Sequence, residues 1–97
     1  MIDNFDELIS KGIHLVDFYA DWCGPCKVMA ENLKNIEDKI DIIKINTDKN
    51  PKLVFKYRIM SIPTIIIFNN GKKIEELVGV HNTNEILELL DKIKEEN

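Results

Sequence analysis

Val16-Asp17-Phe18-Tyr19-Ala20-Asp21-Trp22-Cys23-Gly24-Pro25-Cys26-Lys27 is the stretch on which the reading of this chain turns. It lies at the end of a mostly apolar run, Ile13 to Ala20, whose abrupt stop suits a strand buried on both faces. A short loop, Asp21 to Pro25, follows. From Cys26 to about Asp38, Met29, Leu33 and Ile36 share one face at helical spacing, so a helix is expected there. A Cys-x-x-Cys between a buried strand and a helix is the arrangement redox chemistry needs. The first sulfur sits at the helix N-terminus, where free N–H groups and partial positive charge favour thiolate over thiol. The second is one helical turn on, near enough for an intramolecular disulfide. Pro25 suits the helix start because its missing N–H would have had no intrahelical partner. Gly24 leaves room for an incoming polypeptide.

Two other uses of Cys23 and Cys26 are weaker. A disulfide closing so short a loop restricts the unfolded chain little, so it would be a poor structural staple. A structural zinc site wants four ligands, and the other soft candidates are only His14 and His81. No metal and no bound cofactor are expected.

Outward from this segment, the chain alternates helix and strand signals. Asp3 reads as an N-cap before Phe5, Leu8 and Ile9, with Gly12 as the stop. Asp41 to Asn46 reads as a second strand. Pro51 fits the first position of a short helix that turns Leu53, Val54 and Tyr57 inward. Ile62 to Phe68 is β-branched and apolar, with Pro63 near its start. Asn69-Asn70-Gly71 is a hairpin signal, so Lys72 to Val78 is expected back as an antiparallel partner. Asn82 and Glu85 have capping-box spacing ahead of Ile86, Leu87, Leu89, Leu90 and Ile93. The order α-β-α-β-α-β-β-α argues an α/β domain, a mixed sheet with helices on both faces, spanning residues 1–97.

Composition narrows the function. The net charge is −4, from 17 acidic and 13 basic residues, and Arg58 is the only arginine. No basic stripe suits a phosphate backbone, so nucleic acid is not an expected partner. Ile65-Ile66-Ile67-Phe68 is far too short to span a bilayer, and Met1-Ile2-Asp3-Asn4 has no signal-peptide character. A cytoplasmic protein with no membrane partner is expected.

The segment from Val16 to Lys27 closely resembles the active-site segment of thioredoxins. Ser61-Ile62-Pro63-Thr64, Phe68-Asn69-Asn70-Gly71 and Val78-Gly79 match further landmarks of that family at the expected spacing, so the resemblance covers nearly the whole chain. It implies a thioredoxin fold with a central mixed sheet of about four strands, since the family's usual first strand is missing. It implies a protein-disulfide reductase with a redox-active Cys23–Cys26 disulfide, recycled by a separate thioredoxin reductase. Cys23, the exposed thiolate, would attack a target disulfide, and the more buried Cys26 would resolve the mixed disulfide. Pro63 resembles the family's cis-proline, and the Ile62 backbone would pair with the substrate chain. Trp22, Ile62, Pro63, Gly79 and Val80 would form a flat apolar docking surface for disulfide-containing proteins. Asp17, by itself readable as a solvent-facing residue on a half-exposed strand, becomes a buried carboxyl accepting the proton of Cys26. Lys44 would favour the ionised form of that carboxyl.

Departures from the family pattern are visible too. Glu31 stands where the family has a helix-kinking proline, so the helix is expected to run straighter. Tyr19 replaces a common tryptophan, and Thr47 an apolar docking residue. His81 reads as a solvated residue rather than a catalytic base. An oxidant or isomerase of the same fold is the nearest rival, but those relatives usually have histidine between the cysteines. A redox-independent binding module is the rival of another class, and it would survive replacement of both cysteines by serine. Asp41–Asn46 should form a sheet edge whose charges at Asp41 and Lys44 discourage edge pairing, leaving a monomer.

Overall fold

The computed structural model describes residues 2–96. Their elements run α1 (Phe5–Leu8), β1 (Ile13–Tyr19), α2 (Gly24–Lys34), β2 (Asp41–Asn46), α3 (Pro51–Lys56), β3 (Thr64–Asn69), β4 (Lys72–Val78) and α4 (Thr83–Glu96). The four strands form one sheet in the order β2-β1-β3-β4. β1 is parallel to β2 and antiparallel to β3, and β3 is antiparallel to β4.

Alternation along β1 and β3 divides the core in two. Leu15, Ile65 and Ile67 point to one face and pack with Met29 and Leu33 of α2, and with Ile86, Leu90 and Ile93 of α4. Val16, Phe18, Ile66 and Phe68 point to the other face and meet Phe5 and Ile9, with Leu53 of α3 and Tyr57 just after it beside them. Phe5, Tyr57 and Phe68 form an edge-to-face cluster there, with ring centroids 5.4–5.8 Å apart. Both central strands are therefore apolar on both faces, which explains why their sequences are nearly continuous hydrophobic runs. Burying a side chain the size of Phe18 contributes about 2–3 kcal/mol, and truncating it to alanine should cost about 3–5 kcal/mol.

Local chemistry sets the turns. Asn70 and Gly71 both have positive φ, 50° and 84°, as a two-residue hairpin between right-twisted strands requires. The capping box before α4 is formed: Asn82 Oδ1 accepts the Glu85 N–H at 2.9 Å, and a Glu85 oxygen accepts the Asn82 N–H at 3.3 Å. Pro51 opens α3 as expected.

Three elements differ in their boundaries from the sequence reading. α1 begins after Asn4, whose side chain makes no cap bond, so Asp3 is not its cap. α2 begins two residues before Cys26, at Gly24, and ends at Lys34 rather than near Asp38. The chain then continues in turns, with Ile36 N–H to Leu33 O and Lys39 N–H to Ile36 O, and these keep Ile36 buried at a helix-like spacing. β3 starts at Thr64, directly after the cis Ile62-Pro63 peptide. α2 passes through Glu31 without interruption, and Glu31 pairs with Lys34 at 3.1 Å on the surface.

β2 is an edge, with β1 as its one neighbour. Its amides facing away from β1 should therefore exchange quickly while those bonded to β1 are protected. Slow exchange along the whole strand would mean that another chain pairs with it.

Candidate active site

The cysteines are placed by the junction of β1 and α2. Cys23 is the N-cap of α2, with φ −90° and ψ 110°, and its Sγ accepts the Cys26 N–H at 3.1 Å. Cys23 and Cys26 are joined as a disulfide with Cα atoms 5.2 Å apart. The sulfur of Cys23 thus meets one of the free N–H groups that every helix start leaves over, and negative charge there is stabilised by the helix dipole. Pro25 occupies the first turn, and a Cβ on Gly24 would meet nothing within 4 Å, so the approach above the loop is open.

The two cysteines were expected to differ in exposure, Cys23 open and Cys26 buried. In the disulfide form they do not, the residues being 5% and 4% exposed. The bonded pair is folded against Ala20, with Tyr19 and Ile62 packed alongside, and this covers both. What separates them is their surroundings. Cys26, and not Cys23, lines a pocket of about 200 Å³ that is open to solvent, together with Asp17 and Lys44.

Asp17 shares the strand parity of Leu15, so it points to the face that α2 covers. It is 1% exposed, and its Oδ1 has no hydrogen-bond partner among the described residues. The reading of Asp17 as a solvent-facing residue is thereby corrected. Burial pushes its carboxyl up from 3.8 to about 6, and the charge of Lys44 offsets part of that rise. Lys44 is its register partner on β2. The lysine itself stays exposed, so it acts through space with its head in water.

Of the expected docking residues, Ile62 packs against the disulfide. Trp22 is 72% exposed and Val80 44%, while Ile62 and Gly79 are half-buried. Pro63 is buried, so what its position offers a partner is the neighbouring Ile62 rather than the proline ring. The Gly79 N–H donates to Pro63 O at 2.8 Å and ties the two loops together. Gly79 has φ 87°, a backbone conformation that a side chain would strain.

Sequence reasoning missed Asp48. Its Oδ2 accepts the Trp22 indole N–H at 2.9 Å and fixes the exposed ring beside Cys23. Thr47 turns its hydroxyl to Tyr19 O at 3.1 Å. No spacing rule links these residues to Trp22; the contact exists because β2 ends beside the active-site loop. His81 is more anchored than expected, with Nδ1 2.9 Å from Glu85 and Nε2 3.2 Å from Val78 O. Among the described residues no group of three or more potential ligands could hold a metal ion, and no helix is long and apolar enough to cross a membrane.

Comparison with known proteins agrees with this geometry. The thioredoxin family model matches residues 1–92. The thioredoxin of Staphylococcus haemolyticus (strain JCSC1435) is 44% identical over 93 residues, covering 92% of this chain and 89% of that protein. The thioredoxin of Staphylococcus aureus (strain N315) is 43% identical over the same shares. A solved mutant thioredoxin from Halobacterium salinarum NRC-1 superposes with a TM-score of 0.85 at 31% identity, covering 91% of this chain and 80% of that one.

Proposed function

This chain belongs to the thioredoxin family, and we propose from that premise how its residues divide the work of thiol–disulfide exchange. It is a thiol–disulfide oxidoreductase that reduces protein disulfides, with disulfide proteins as substrates and a reductase as partner. The proposal concerns which atom does what.

In the reduced protein, Cys23 is the attacking thiolate. Its sulfur displaces one sulfur of the substrate disulfide, forming a mixed disulfide and releasing the first substrate thiolate, which takes a proton from water. Trp22, Ile62, Gly79 and Val80 hold the substrate chain, and the Ile62 backbone pairs with it as a short added strand. Asp17 then takes the proton of Cys26. The cavity they share is polar enough for water to relay that proton. The Cys26 thiolate attacks the Cys23 sulfur, and the second substrate thiolate leaves. Two electrons have passed to the substrate, and the protein is left as the Cys23–Cys26 disulfide that the structure contains. Lys44 keeps the Asp17 carboxyl from rising further, so that it can still accept a proton near neutral pH.

One observation carries this division of roles: Cys23 caps α2, whereas Cys26 shares a pocket with Asp17 and Lys44. We further propose that the protein works as a monomer in the cytoplasm, as one domain, without nucleic acid. Its net charge of −4 and the charges on the β2 edge support this. The test is to supply electrons through a thioredoxin reductase and follow reduction of a protein disulfide. Sustained reduction that needs both cysteines is expected; reduction that persists without Cys23 would overturn the assignment.

A further inference from the structure

Beside Trp22, a groove of about 1000 Å³ runs from the active-site loop to α3. Trp22, Phe55, Arg58, Met60 and Ile62 are among its lining residues. Phe55 and Met60 are 86% and 92% exposed, a heavy concentration of bare apolar surface for so small a protein. Phe55 lies out of phase with Leu53 and Tyr57, which carry the packing of this segment, so neither it nor Met60 serves the core. The wall opposite is held ready, because Asp48 fixes the indole and no ring motion has to be frozen on binding. Two cations stand at the rim. Lys56 is engaged by Asp6 at 3.0 Å, whereas Arg58 has no ion pair among the described residues.

We propose that this groove selects substrates by the residues flanking their disulfide cysteine, favouring a large apolar side chain together with an acidic one. The occupant is the substrate polypeptide itself. Trp22 and Ile62 belong both to the groove and to the surface around Cys23, so a chain presenting its cysteine to Cys23 continues into the groove without a break. The apolar side chain packs between the indole and Phe55 with Met60, and the acidic one meets Arg58. The inference rests on the reductase reading above and adds its substrate preference.

The test uses the full chain, reduced beforehand, in single turnovers with three probes. Two are short peptide homodisulfides, one with leucine and aspartate beside its cysteine, the other with serine and lysine there. The third is a small aromatic disulfide with no peptide. The wild-type protein should oxidise about tenfold faster with the leucine–aspartate peptide than with the serine–lysine peptide. Phe55→Ser combined with Met60→Ser should erase that preference and leave the small disulfide unaffected. Both positions are on the surface, so folding is not at stake. Arg58→Gly, which suits the φ of 53° at that position, should remove the part of the preference that salt also weakens. Equal rates for both peptides in the wild type, or a preference that survives the double variant, would overturn the groove. An equal loss on all three probes would place the effect at Cys23 and overturn it too, as would a dimer in sedimentation that the double variant dissolves. A wild-type protein inert toward the small disulfide would overturn the reductase reading itself, and this inference with it.

Discussion

Cys26→Ser should turn a protein that cycles into one that stays covalently attached to the disulfides it attacks. Cys23 still caps α2 in that variant and still forms the mixed disulfide. What is lost is a thiol held one helical turn away, which acts as an intramolecular nucleophile. Well-oriented intramolecular groups reach effective concentrations on the order of 10⁵ M, far above any free thiol in solution. Turnover should therefore fall by at least about a thousandfold, with mixed disulfides through Cys23 persisting long enough to isolate. Mass spectrometry of the captured complexes reads both the trapped partner and the cysteine that holds it. Cys23→Ser should capture nothing. Should Cys26 instead hold partners in Cys23→Ser, the two roles are exchanged.

Asp17→Asn should make the protein more stable and slower. A carboxyl held at about 6 in the fold, against 3.8 when free, costs nothing below pH 3.8, where it is neutral in both states. The cost of ionising it in the fold grows as pH rises from 3.8 to about 6 and is constant above. At full extent it is about 3 kcal/mol. Stability of the wild type should thus decline across that window, apart from the titration of other groups. The neutral amide removes the penalty, so denaturant midpoints of Asp17→Asn should exceed wild type by roughly 2–3 kcal/mol at pH 7 and by little at pH 4. The same change deprives Cys26 of its proton acceptor. Resolution of the mixed disulfide should slow by at least about tenfold near neutral pH, the low end of what a positioned base contributes. A variant that is less stable at pH 7 and resolves at the wild-type rate would leave Asp17 a structural residue only.

The proposed use of Asp17 as a proton acceptor accounts for a polar residue that costs stability at this position. Strand parity forces Asp17 onto the face beneath α2, the face that also receives Cys26. A leucine there would carry no desolvation penalty, but it could accept no proton.

Much of this was legible in the sequence because local signals and tertiary demands coincide. The apolar runs of β1 and β3 are buried on both faces. The Asn70-Gly71 turn admits one hairpin, and β2 ends where the polar turn Thr47-Asp48-Lys49 follows Ile42, Ile43 and Ile45. α2 was less legible. Ile36 stays buried at helical spacing after the helix has ended, because turns with three-residue hydrogen bonds preserve nearly the same spacing. The even covering of Cys23 and Cys26 was not legible either, since it follows from the bonded pair lying against Ala20 and Ile62. Asp48 and the bare Phe55 and Met60 carry no periodic signal. Their meaning appears only when the end of β2 and the segment after α3 are brought beside Trp22.

The division of labour between the two cysteines is tested most directly by alkylating the reduced protein briefly at neutral pH and locating the label by mass spectrometry. Cys23, stabilised as an anion by the start of α2, should take the label while Cys26 remains unmodified. Label on Cys26 with Cys23 protected would contradict the account.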